Sequence, residues 1–282
     1  MRSFRDVAAE AVSNIKRMDF ALLAATSALS LAGIVTLIGG YSTFGLKRIV
    51  MQLGATCVGF VIMLLIATVD YRVIAQKLGI FIYGASLLLL VVTLVFGTSE
   101  GENKSWLYLP LIPFGIQPSE FIKASLLLTF SYHLYRVREH INRPLVLLTL
   151  AVHAGGYIGL ILLSGDLGVA LVYVGICAVM LFCAGLSGWY FAGGVGLAAL
   201  AAPLGWKLLR NDQRERILVG FNPDIDPLGK GYQPIKSRSS VANGGIFGRD
   251  MFGGSVYKTY AASHTDFIFG TFCEKFGLVG AL

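Results

Sequence analysis

The sequence predicts an all-α, polytopic membrane protein, and three observations carry that reading. Hydrophobic residues make up 55% of the chain and charged residues 14%, mean hydropathy is +0.70, and apolar runs recur at lengths near the roughly 20 residues that a helix needs to cross a bilayer. A water-soluble domain of this size needs more surface charge. Porin-type strands alternate apolar and polar residues. Runs such as Leu87-Leu88-Leu89-Leu90-Val91-Val92 do not alternate, and helices satisfy their own backbone within lipid.

The elements follow in order. Residues 1–18 carry Asp6 and Glu10 and have no small-residue cleavage site after the next apolar run, so they read as a cytoplasmic amphipathic lead-in and not a cleavable signal. A seven-helix membrane domain is expected over residues 19–206, with spans at Asp19–Gly39, Val50–Val69, Leu78–Gly97, Glu120–Tyr135, Pro144–Leu163, Leu167–Leu186 and Trp189–Trp206. A large extracellular loop between helices 7 and 8 is expected over residues 207–266. The start of an eighth helix occupies 267–282, and a chain stopping within that span reads as a C-terminally truncated fragment.

Lys and Arg in short loops set the orientation. Arg2, Arg5, Lys16 and Arg17 precede the first span, Arg72 and Lys77 follow the second, and Arg136, Arg138 and Arg143 follow the fourth. The N-terminus is therefore expected in the cytoplasm, with Trp106, Asp166 and the long polar segment outside. The sequence pI of about 9.3 does not point to nucleic acid, because the basic residues are scattered over loops on both faces. Anionic membrane lipids are the better partner. Cys57, Cys177, Cys183 and Cys273 lie in apolar runs without metal-ligand spacing, and read as buried free thiols.

Four polar constellations interrupt the apolar pattern. Around Trp106 and Tyr108, an aromatic belt competes with ligand contact. Downstream, Gln117-Pro118-Ser119-Glu120 reads as a helix entrance, with Lys123 one turn deeper, where a charge must snorkel or find a partner. Asp166 in Ser164-Gly165-Asp166-Leu167-Gly168 is either the cap of the sixth span or a ligand for a cation or sugar hydroxyl. The glycine-rich stretch from Asn222 to Gly248, with Arg214, Arg216, Lys236 and Arg238 nearby, suits either a solvated loop or phosphate contact. Finally, His264-Thr265-Asp266-Phe267 puts a carboxylate at the mouth of a helix. It is either a cap or, if partial burial raises its proton affinity, a general base.

Trp106, Gln117-Pro118-Ser119-Glu120, Asp166-Leu167-Gly168, Asp226-Pro227-Leu228-Gly229-Lys230-Gly231-Tyr232-Gln233, Gly244-Gly245 and His264-Thr265-Asp266-Phe267 together resemble the SEDS family, which includes RodA, FtsW and SpoVE. The resemblance runs from about the first span to the chain's end. It implies a peptidoglycan glycosyltransferase of the bacterial cytoplasmic (inner) membrane that polymerises lipid II and releases polyprenyl pyrophosphate, with a class B penicillin-binding protein as transpeptidase partner.

On that resemblance Asp266 is the catalytic base of an inverting transfer. Trp106, Lys123, Arg214, Arg216, Lys236, Arg238, His264 and Thr265 are substrate-binding candidates, and Asp166 and Asp226 would hold a magnesium or manganese ion. Departures from the family pattern include Ala261-Ala262-Ser263 before the histidine, Lys236 before Ser237 and Ser105 before the tryptophan. Two other readings of the same residues are a lipid II flippase and a non-catalytic scaffold for the transpeptidase.

Overall fold

The computed structural model describes residues 18–100, 103–108, 115–252 and 256–282, so the expected lead-in, apart from Met18, lies outside the described residues. Each of the seven apolar segments is helical. Helix α1 covers Phe20–Gly39, α2 Tyr41–Ala67 and α3 Tyr71–Phe96; an antiparallel hairpin of β1 (Thr98–Glu100) and β2 (Asn103–Trp106) follows; then come α4 (Pro118–Val137), α5 (Pro144–Leu163), α6 (Leu167–Cys183) and α7 (Gly188–Leu208). By length and composition α1, α2, α3, α5 and α7 are fit to cross a membrane. Helix α6 is apolar but has 17 residues, and α4 places Glu120, Lys123, His133 and Arg136 among its 20. The expected seven complete spans are thus seven helices, five of which meet the full criterion.

Local chemistry explains the boundaries. The side chain of Asp19 accepts the Ala21 and Leu22 amides and that of Asp70 accepts the Arg72 amide, so each satisfies donors that a helix start leaves open. Pro118 and Pro144 sit in the first turns of α4 and α5, where a missing N–H costs nothing. Helix α2 begins nine residues earlier than the expected Val50 and bends at Gly45, whose φ of 75° and ψ of 162° suit glycine alone.

The expected 207–266 loop is the main correction. It contains α8 (Asn211–Phe221), α9 (Tyr232–Gly244) and short 3₁₀ turns at Pro223–Ile225, Tyr257–Thr259 and Ala261–His264. Turn residues cluster between the helices, not across the whole stretch. Helix α9 turns Ser240 and Gly244 inward against α10 (Ile268–Ala281), and a Cβ on Gly244 would stand 2.0 Å from the Cys273 carbonyl oxygen. Small residues let the two backbones touch, which a polar sequence without a long apolar stripe does not advertise.

The chain divides into two compact units, Asp70–Leu208 and the combination of Met1–Val69 with Leu209–Leu282. In the central unit, Ile122, Leu126, Phe130 and Leu134 of α4 form a buried i, i+4 stripe with Leu150, Tyr157 and Ile161 of α5 and Tyr173 of α6. Several polar groups inside it are paired: Ser125 Oγ lies 2.7 Å from Ser86 Oγ and 2.9 Å from Tyr157 Oη, and the Tyr173 hydroxyl donates to the Ser119 carbonyl at 2.7 Å. The terminal unit has its own core of Leu37, Phe44, Ile49, Tyr257 and Tyr260.

Candidate functional site

In the terminal unit, the chain reaches Asp266 through the 3₁₀ turn at Ala261–His264. The Ala262 carbonyl accepts from the amides of Thr265 at 3.2 Å and Phe267 at 3.1 Å, closing a tight turn around Asp266. Gln233 Oε1 of α9 accepts from the Ala262 amide at 3.1 Å, and Thr271 of α10 donates its hydroxyl to the Ser263 carbonyl at 2.7 Å. The turn is therefore pinned from both sides while the Asp266 side chain stays exposed. The partial burial expected for Asp266 is absent: the residue is exposed.

His264 is half-buried, with its ring 5.4 Å from that of Phe44 at 37°. Burial, aided by the Arg48 charge, lowers its pKa from 6.5, against opposing contributions from the Ala261 backbone and the Asp266 carboxylate. The Arg48 and Asp266 charges thus act on the His264 ring in opposite directions. Thr265 is exposed and its hydroxyl donates to the Ala262 carbonyl at 3.4 Å.

The basic candidates of this unit sit on helices. Arg214 and Arg216 lie on α8, half-buried and exposed respectively; Lys236 and Arg238 lie on α9, with the Lys236 amine 5.6 Å from the Tyr232 ring centre. Asp226 acts as a turn anchor: its two carboxylate oxygens accept the Gly229 amide at 3.0 Å and the Lys230 amide at 2.8 Å. A Cβ on Gly229 would stand 2.2 Å from that carboxylate, so the turn requires glycine there.

Two neighbours of the turn were not singled out from the sequence. Glu274, fully buried on α10, accepts from Ser240 Oγ at 2.9 Å, Asn243 Nδ2 at 3.0 Å, the Val256 amide at 3.2 Å and the Tyr257 amide at 3.0 Å. The adjacent buried Lys275 donates to the Gly39 carbonyl at 3.0 Å and the Met251 carbonyl at 2.6 Å, with the Tyr257 ring 4.5 Å away. Both hold the segments flanking Asp266. A signal was present, since two adjacent ionisable residues inside an apolar run are a functional-site flag by themselves.

The remaining candidates occupy the central unit. Of the two expected alternatives, snorkelling or a partner, Lys123 has a partner: its amine donates to Glu120 Oε1 at 2.7 Å, an i, i+3 pair in the first turns of α4. Asp166 caps α6 by accepting the Val169 amide at 3.1 Å, while its other oxygen accepts Gln117 Nε2 at 3.0 Å. Trp106 ends β2 half-buried, and Gly115 lies so close beneath it that a Cβ would stand 2.9 Å from both the Trp106 and Tyr108 rings.

The assignment of Asp166 and Asp226 to a divalent cation does not fit. Both carboxylates direct both oxygens at N–H donors, whose positive ends are the wrong neighbours for a cation. The two residues also belong to separate units, and among the described residues no group of three or more His, Cys, Asp or Glu side chains comes together.

Comparison with known proteins gives consistent matches. Residues 16–282 match the model of a family described as cell cycle protein, that of FtsW, RodA and SpoVE. The probable peptidoglycan glycosyltransferase FtsW of Geobacter metallireducens is 29% identical over 289 residues, covering 96% of this chain and 74% of its own. Peptidoglycan glycosyltransferase MrdB of Escherichia coli K12 is 32% identical over 243 residues, covering 82% of this chain and 62% of its own.

Among solved structures, a chain of a peptidoglycan synthase complex, studied for its coordination of polymerization and crosslinking, superposes with a TM-score of 0.76 at 31% identity. It covers 94% of this chain and 73% of its own. The rod shape determining protein RodA of Thermus thermophilus shares the fold, with a TM-score of 0.62 at 24% identity over 94% of this chain and 69% of its own.

Proposed function

The chain belongs to the FtsW, RodA and SpoVE family of cell cycle proteins, and from that membership we propose that it is a peptidoglycan glycosyltransferase, a multi-pass protein of the bacterial inner membrane that polymerises lipid II. The observation that carries the mechanism is the Asp266 carboxylate, exposed on a turn that Gln233, Thr271 and the Ala262 backbone hold in place. A base fixed by its own backbone but open to solvent is ready for an incoming hydroxyl.

In this reading Asp266 takes the proton of the acceptor sugar's 4-hydroxyl. The freed oxygen attacks the anomeric carbon of the donor from the face opposite the leaving group, the new glycosidic bond forms with inversion, and the bond to polyprenyl pyrophosphate breaks. The leaving group carries its electron pair away as phosphate charge, and basic side chains stabilise it. Arg48 joins Arg214, Arg216, Lys236 and Arg238 as a candidate in the same unit, because it already acts electrostatically on His264. Lys123, paired with Glu120, is kept as a separate substrate-binding candidate. The magnesium or manganese ion implied by resemblance has no fitting ligand set at Asp166 or Asp226, so no step is assigned to it.

A class B penicillin-binding protein is the proposed partner, supported by the similarity to a chain from a synthase complex that couples polymerization with crosslinking. The direct test is Asp266→Asn in the purified protein, with glycan product from lipid II separated by gel. Loss of about 10²–10⁴-fold in rate is expected, with thermal stability unchanged because the side chain is exposed. Full activity in that variant would remove Asp266 as the base.

A further inference from the structure

We propose that the groove between the start of α3 and the second half of α4 is a binding site for an anionic glycerophospholipid, with one acyl chain in the slot and the phosphate at its mouth. The groove has a volume of about 740 Å³ and lies wholly within the central unit. That size falls within the range of small-molecule sites. Ala75, Ala124, Leu127 and Leu128 give the groove an apolar stretch, with Ser131 as a polar member of the lining. The two alanines create the space, since larger side chains at facing positions of α3 and α4 would interdigitate and fill it.

The mouth has a different character. Arg72 and Gln76 line one side, and Tyr132 and Tyr135 the other. The Arg72 guanidinium sits 5.9 Å from the Tyr71 ring centre, and that of Arg138 sits 4.9 Å from the Tyr135 ring centre. Rings of this kind favour the boundary between hydrocarbon and water, and the cations beside them lie at headgroup depth. Nearby in sequence are the bases Lys77, Arg136 and Arg143 and the acids Asp70 and Glu139. The Asp70 carboxylate already accepts the Arg72 amide as a helix cap.

Charge complementarity selects the occupant. A neutral lipid would leave the cations at the mouth unanswered, and an apolar helix from another protein would bury Arg72 without a counter-charge. A phosphodiester answers the excess positive charge while its acyl chain covers the apolar stretch. The distribution of Lys and Arg assigns this end to the cytoplasm, where anionic headgroups attract basic side chains.

The test measures lipid retained by the purified protein, by native mass spectrometry, after exchange with phosphatidylglycerol or phosphatidylcholine of the same acyl composition. Phosphatidylglycerol should be retained at least five-fold more strongly. Arg72→Gln should reduce that preference roughly five-fold, the worth of one basic group near a charged surface. Ala124→Phe should abolish retention of both lipids. A phosphatidylglycerol carrying a photoreactive acyl chain supplies a second readout on the unaltered protein, and its label should map to the α4 peptide containing Ala124 and Leu128. Equal retention of the two lipids, unchanged retention by a folded Ala124→Phe protein, labelling confined to other helices, or groove residues crosslinking to a second protein chain would each overturn the proposal.

Discussion

Replacing Glu274 should loosen the polypeptide around Asp266 without touching Asp266 itself. Each Glu274 oxygen faces one adjustable side chain and one fixed backbone donor: Oε1 receives Asn243 and the Val256 amide, and Oε2 receives Ser240 and the Tyr257 amide. In Glu274→Gln the new NH₂ group must occupy one of these places. Ser240 or Asn243 can turn to accept from it, but the backbone N–H beside it cannot. One buried donor is left unpaired, at about 1–3 kcal/mol.

Glu274→Ala leaves the Val256 and Tyr257 amides both unpaired and should cost about 3–5 kcal/mol, since each stranded buried donor costs about 1–3 kcal/mol. For a protein of this size each kcal/mol lowers Tm by about 2–4 °C. The alanine variant should therefore melt roughly 6–20 °C below the native protein and the glutamine variant roughly 2–12 °C below it. Differential scanning fluorimetry in detergent measures both, alongside glycan synthesis from lipid II. A glutamine variant as stable as the native protein, or one no better than alanine, would refute this account of which oxygen holds which donor.

Further expectations rest on other contacts. Gly39→Ala places a methyl group 2.7 Å from the Met251 carbonyl oxygen and 3.3 Å from two Lys275 carbons; overpacking of this kind should cost about 1–3 kcal/mol, seen as a lower melting temperature. Because the pKa of His264 lies below 6.5 in the folded protein, the unfolded chain binds the proton first. Its contribution to stability is complete above that pH and falls away as pH drops below it. Melting curves from pH 8 to pH 5 should accordingly fall less steeply in His264→Phe. Lys123→Met removes a partly exposed pair with Glu120, so stability should change by no more than about 1 kcal/mol, while glycan synthesis should fall well beyond that equivalent if the pair positions substrate. Equal, small changes in both quantities would reduce the pair to a structural role.

Much of the fold was legible because a helix in lipid announces itself by composition alone. Every apolar run is helical, and Asp166 and Pro118 mark helix starts where turn chemistry says they should. The polar segment hid two helices because α8 opens on Asn211-Asp212-Gln213-Arg214-Glu215-Arg216, which has no apolar periodicity, and because α9 packs through serine and glycine. Asp226 and Asp166 looked like ligands because residue type shows that a carboxylate is present but not what it faces. In the fold each faces N–H groups supplied by its own local turn or, for Asp166, also by Gln117, 49 positions away. The Glu274 network draws donors from 17 to 34 positions away, a juxtaposition that only tertiary structure creates.

The Lys275 amine grips a carbonyl 236 positions earlier in the chain. At ribosomal speeds of about 5–20 residues per second, the segment ending in Gly39 waits roughly 12–47 s for its counterpart. The intervening helices can assemble among themselves in that interval, but the terminal half of the molecule is completed late. A chain shortened to end before that lysine therefore lacks the contact that ties its first apolar helix to its last.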